Sequence, residues 1–180
     1  SSADNLICVW KTDDAVKSSQ PVHTLSSHKS SVSTVAFSPN NNQILVSGSK
    51  DKTIRMWNLE FGGHNKSKNP HNDEVIDLAF SETGEQVVSA SDREICLWDF
   101  EATSPKTPIY VGKSNFAAVR FAPSSSNELV IEPNYGFSPS FVWVLNIKSR
   151  KWRLVHEPKQ KGEGEEDKEG EEDKEWVLYN

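Results

Sequence analysis

The sequence predicts an all-β chain assembled from repeated antiparallel units, and three observations carry that prediction. Apolar residues come in short alternating or β-branched runs separated by clusters of Asn, Gly, Asp, Ser and Pro, the pattern of short strands joined by tight turns. No stretch sustains a helical period. The residues that close successive runs recur at near-constant spacing: 47 residues from Trp10 to Trp57, 41 from Trp57 to Trp98, and 47 from Trp98 to Leu145. Spacing on this scale marks stacked structural repeats.

The clearest unit occupies residues 28–57. It opens with His28, and four residues later alternation begins at Val32 and continues through Val35 and Phe37. A turn over 38–42 leads into a second run, 44–46, and the small polar stretch 47–52 reverses the chain into a third run, 53–57. This reads as three short antiparallel strands.

That block resembles one WD repeat, the unit of a β-propeller, with Ser27-His28 where the family commonly has Gly-His and Trp57-Asn58 where it has Trp-Asp. The resemblance implies a buried network through a histidine, a second-strand serine, a turn aspartate and a closing tryptophan. Those slots are filled by His28, Ser47, Asp51 and Trp57. It also implies the architecture: an all-β WD-repeat β-propeller segment of about three and a half four-stranded blades, an incomplete ring. The blades occupy residues 1–157, divided as 1–25, 26–70, 71–111 and 112–157. An acidic low-complexity stretch, 158–175, and a short terminal strand, 176–180, complete the division.

Taken in order, residues 1–10 read as the end of a repeat, with Asp4 six residues before Trp10 as Asp51 is before Trp57. Residues 21–25 form the outer strand of that blade. After the full repeat, 58–70 has little apolar content beyond Leu59 and Phe61, so its outer strand should be short or irregular. The next repeat runs over 71–98, with strands at 75–80, 86–89 and 95–98. His71 precedes Val75 by four residues and Asp92 precedes Trp98 by six. Ser89, however, lies three residues before Asp92 where Ser47 lies four before Asp51, which leaves the place of its hydroxyl open. Packing should still hold the strands, with either Ser89 or Ser91 reaching His71. Residues 108–111 give an outer strand, and the last unit follows at 116–123, 129–131, 141–145 and 152–155. Its polar signature is gone, with Gly112 in the histidine slot and Leu145 in the tryptophan slot.

Composition narrows the function classes. The longest wholly apolar run, 141–145, is far below the ~18 residues of a membrane helix. The two cysteines, Cys8 and Cys96, hold the same slot in different repeats. Equivalent slots in separate blades lie beyond the ~7 Å reach of a disulfide, so both are expected reduced, which favours cytoplasm or nucleus. Net charge is −6, of which −5 falls in residues 159–175. The folded part is therefore near neutral and offers no basic field to nucleic acid or an anionic membrane. GEEDKE occurs twice, at 164–169 and 170–175; this run is expected to be a solvated excursion able to engage a basic partner. With no initiator methionine and a start inside a motif, the chain reads as a piece of something longer. Its ring would be completed by the rest of a parent chain or by a second copy.

Ser47, His28 and Asp51 together have the residue types of a hydrolase triad. A nucleophile must be exposed and have oxyanion donors nearby, whereas the repeat places these side chains between strands behind Trp57. Recurrence of the set as His71, Ser89, Asp92 and Trp98, and in part as Asp4 and Trp10, also favours a structural role, since enzymes seldom install one site several times. His64, His71, Asp73 and Glu74 share a segment but repeat spacing already accounts for His71, so no metal site is assigned. No phosphate-cradling glycine motif occurs, and Gly62-Gly63 reads as a turn. No catalytic residue or cofactor is expected.

What remains is a rigid surface of loops. One propeller face should gather Lys29, Ser30, Ser31 and Lys50 from one blade beside Asn72, Asp73, Glu74 and Arg93 from the next. A basic patch next to an acidic one suits a peptide or protein of mixed charge. The sequence therefore predicts a non-catalytic protein-interaction scaffold or adaptor within a larger complex. A hydrolase and a nucleic-acid-binding propeller are the disfavoured alternatives.

Overall fold

The computed structural model describes residues 5–11, 20–68, 71–99, 108–111, 115–134 and 142–155. Within them every regular element is a strand. Asp4, Gly112, Phe141, the acidic run and the strand expected at 176–180 lie outside the described residues.

The strands group into one two-stranded and three four-stranded antiparallel sheets. β1 (Leu6–Val9) pairs with β2 (His23–Ser26). The first complete sheet runs β3 (Val32–Phe37), β4 (Ile44–Ser49), β5 (Ile54–Asn58) and β6 (Gly63–Lys68), each strand pairing with the next. The second repeats that order with β7 (Val75–Phe80), β8 (Gln86–Ser91), β9 (Glu94–Asp99) and β10 (Pro108–Val111). The third consists of β11 (Phe116–Phe121), β12 (Glu128–Pro133), β13 (Val142–Asn146) and β14 (Trp152–Val155). The first strands stand side by side, β3 on β7 and β7 on β11. The sheets are thus consecutive blades sharing an inner wall.

Blade packing follows from alternation, because successive side chains of a strand point to opposite faces. Ile7 and Leu25 meet Val32, Leu45, Trp57 and Leu59 between the first two sheets. On the other face Val46, Ile54 and Met56 meet Val75, Leu78, Val87 and Trp98. Farther on, Val88, Ile95, Leu97 and Ile109 pack with Phe116, Val119, Leu129, Ile131 and Leu145. Leu145 is fully buried where earlier repeats carry tryptophan, so apolar volume suffices to hold a blade whose polar signature is lost.

The outer strand after Trp57 is irregular, as expected, with a register shift between Met56 and Trp57, although at six residues β6 is as long as β3. Backbone pairing with β5 extends it where side-chain hydropathy gave no signal. Its first residue is Gly63, so only Gly62, at φ +65°, belongs to the turn. Trp10 does not occupy a core slot; it lies just past β1 and is 53% exposed. Trp57 is covered by Ile7 and Leu25 of the preceding sheet with Val32, Leu45 and Leu59 of its own blade, whereas β1 has β2 as its one sheet neighbour among the described residues.

Candidate functional site

The polar network lies where the loop before each blade meets the turn between its second and third strands. In the first complete blade, His28 Nε2 is 2.7 Å from Ser47 Oγ and Nδ1 is 3.0 Å from Asp51 Oδ2. The Trp57 indole N–H donates to Ser47 Oγ at 2.8 Å. The indole fills one acceptor site on the hydroxyl, and the His28 ring bridges that hydroxyl and the Asp51 carboxylate through its two nitrogens. Asp51 Oδ2 also accepts from the Lys29 backbone N–H at 2.8 Å, and Oδ1 from the Thr53 N–H at 3.0 Å and hydroxyl at 2.5 Å. Burial alone would raise the Asp51 carboxyl; these hydrogen bonds, Thr53 first, outweigh it and hold it at about 2. The carboxylate thereby ties turn, loop and imidazole together.

In the next blade the structure departs from the expected residue set. Ser89 Oγ is 2.8 Å from His71 Nε2, so Ser89 takes the hydroxyl position, and Ser91 Oγ is buried without a hydrogen-bond partner. Trp98 is fully buried in the blade–blade core. Asp92 is exposed and does not join the network. Glu94 stands nearest that place, with Oε2 3.5 Å from His71 Nδ1, an electrostatic approach longer than the 3.0 Å contact of Asp51 with His28 and without a hydrogen bond to Nδ1. The turn has one residue fewer: Ile54 pairs with Gly48 and Ile95 with Ala90, which puts Glu94 where the first blade has Thr53. From that position a glutamate reaches the loop by its extra methylene, accepting from the Asn72 backbone N–H at 3.1 Å and side-chain amide at 2.6 Å. Burial pushes the His71 imidazole down to about 4 despite the opposing Glu94 and Asp73 charges. Burial, with Glu94 nearby, pushes the Cys96 thiol up to about 12. A glutamate just before the isoleucine was the sequence signal for this exchange, and fixed-offset counting passed over it.

Above these networks lies the loop face. Lys29, Lys50, Asn72, Glu74 and Arg93 are exposed, while Ser30, Ser31 and Asp73 are half-buried. Lys50 Nζ reaches Glu74 Oε2 at 3.2 Å, and Lys52 Nζ donates to the Asn72 carbonyl at 2.6 Å. The basic patch of one blade and the acidic patch of the next are therefore joined directly. At the other end of the inner strands, a groove of about 350 Å³ is lined by Val35, Phe37, Leu78, Phe80, Glu82 and Arg120. Among the described residues no group of His, Cys, Asp and Glu is arranged to hold a metal ion. No helix there is long and apolar enough to cross a membrane.

Consecutive four-stranded antiparallel sheets with a shared inner wall define a repeat protein of the propeller class, here as an incomplete ring. The model of the WD domain, G-beta repeat, matches residues 19–58 and 61–99, and the chain is a WD-repeat protein. It is 34% identical over 118 residues to nuclear distribution protein nudF of Emericella nidulans, covering 64% of this chain and 26% of that one. It is 41% identical over 80 residues to nuclear distribution protein PAC1 of Tuber melanosporum, covering 43% and 18%. Small ribosomal subunit protein RACK1 of Schizosaccharomyces pombe is 38% identical over 84 residues, covering 43% and 27%. The chain spans about a quarter or less of the length of these relatives.

Proposed function

We propose that this chain is a non-catalytic protein-interaction scaffold, part of an adaptor in a larger complex, acting in the cytoplasm or nucleus. Protein binding is the general role of WD-repeat relatives, and the observation that carries the reading here is the fate of the Ser/His/Asp set. Ser47 is 0% exposed, with its hydroxyl between the Trp57 indole and the His28 ring. A hydroxyl so enclosed has no path to a substrate, and the set acts as a clamp beneath the loops. The chemistry left exposed is the loop face with Lys29, Lys50, Glu74 and Arg93. Its mixed charge, joined through Lys50 and Glu74, suits a partner carrying both signs.

Two further parts belong to this proposal. The acidic run of 159–175 engages a basic partner, and the ring is completed by the rest of a parent chain or a second copy. Supporting the second, Val35 on β3 is 50% exposed, while its counterparts Leu78 on β7 and Val119 on β11 are covered by the preceding blade. The test is affinity purification with mass spectrometry, comparing the natural chain with a Lys29→Glu, Arg93→Glu variant and with a deletion of 159–175. Each change should remove a distinct set of partners. Identical partner lists, or labelling of Ser47 by a fluorophosphonate probe, would overturn the scaffold reading.

A further inference from the structure

We propose that Asp77 is a latch that fixes the seating of three successive blades along their inner wall. The residue is 7% exposed. Its Oδ2 accepts from the Val119 backbone N–H at 2.9 Å and from the Arg120 guanidinium, and its Oδ1 accepts from the Thr34 hydroxyl at 3.3 Å. Thr34 is on β3, Asp77 on β7, and Val119 and Arg120 on β11. One carboxylate thus holds the first strands of three different sheets.

The placement comes from a feature shared by all three blades. The pairing of first and second strands shifts register between Val32 and Thr34, between Val75 and Asp77, and between Phe116 and Ala118. A bulge at this point re-aims the side chain that follows it. That residue is Thr34, Asp77 or Ala118, so the charge stands in the middle blade, which has an inner strand on either side. Among the described residues β11 pairs with β12 alone, which leaves backbone groups on its other edge without a strand there. Asp77 supplies the acceptor for one of them. Arg120 then donates to the Val119 carbonyl at 2.7 Å, closing a ring of contacts around that residue.

A carboxylate in a blade–blade contact is expensive unless its lone pairs are met. Here donors from both neighbouring blades meet it, which makes it a device of specific geometry: any slip of β3 or β11 against β7 exposes an unpaired charge. Arg120, whose side chain is 57% exposed, is held by the same contact at the edge of the groove between β3 and β7.

Hydrogen exchange followed by mass spectrometry on the full 180-residue chain tests the latch, using Asp77→Asn and Arg120→Met. Asp77→Asn keeps size and one oxygen but removes the charge. Exchange across 116–121 should rise about tenfold, with a smaller rise across β3 and wild-type rates in β13 and β14. Uniform acceleration in all sheets, or none, overturns the proposal. If Asp77→Asn fails to fold, Arg120→Met decides. It removes the ion pair and keeps the Thr34 bond, so β11 should accelerate and β3 should not. Equal changes in both strands, or in neither, would refute a latch. In the double variant the β11 acceleration should fall short of the product of the singles.

Discussion

Glu94 lies 3.5 Å from His71 Nδ1 and two residues beyond Asp92, the aspartate at the repeat's usual offset from tryptophan. The displacement separates what the network requires from what residue counting suggests. The requirement is an acceptor opposite Nδ1 that also binds the loop backbone. When the turn is shortened, the longer acid two residues further on stands opposite the imidazole. Glu94→Ala should therefore destabilise the protein by roughly 1–3 kcal/mol, while Asp92→Ala should stay within about 0.5 kcal/mol. Urea unfolding of the two variants provides the check. A larger effect at Asp92 would reverse the assignment.

In the first complete blade the acid is Asp51, holding two backbone N–H groups, a hydroxyl and an imidazole. Asp51→Ala removes all of these acceptors and leaves His28 Nδ1 with Thr53 Oγ1 at 3.2 Å. A loss of roughly 2–4 kcal/mol is expected, read as a lower denaturation midpoint at unchanged m-value. Asp51→Asn should lose less, since one oxygen remains.

Acid should weaken the second blade first. The His71 pKa is about 4 in the folded protein against 6.5 ordinarily, so between these values the unfolded chain binds more protons. The stability contribution of the neutral imidazole is full above 6.5 and declines as pH falls from 6.5 through 4. Asp51, held at about 2, keeps its contribution above its ordinary 3.8 and loses it only below. Urea midpoints measured from pH 7 to 4 should slope downward, and His71→Gln should flatten that slope. An unchanged slope in the variant would assign the pH dependence elsewhere.

Gly48 marks a close approach between blades. A Cβ there would lie 2.5 Å from Val75 Cγ1 and 3.0 Å from Thr34 Cγ2. Both are short β-branched side chains with little freedom to yield. Gly48→Ala should destabilise by about 1–3 kcal/mol through overpacking, even though the corresponding position of the next blade is Ala90, fully buried. Pairing Gly48→Ala with Val75→Ala should recover part of the loss in thermal unfolding.

Alternation and turn residues by themselves determined much of this protein. The strand at 152–155 matches β14, and 116–121 within the expected unit matches β11, because period-2 burial and Asn, Gly and Ser turns are local properties of the chain. The histidines were also legible, since each stands four residues before its first strand. Tertiary structure alone decided the acid. Whether Asp92 or Glu94 faces His71 depends on the register of β9 against β8 and on one residue of turn length, which offsets from tryptophan do not carry. It also decided the exposure of Trp10, because a side chain is buried only where neighbouring strands and blades pack against it. Asp77 gave no sequence signal at all. Its role depends on Thr34 and Arg120, each 43 residues away, and a separation of one blade in each direction becomes contact only when the inner strands stand side by side.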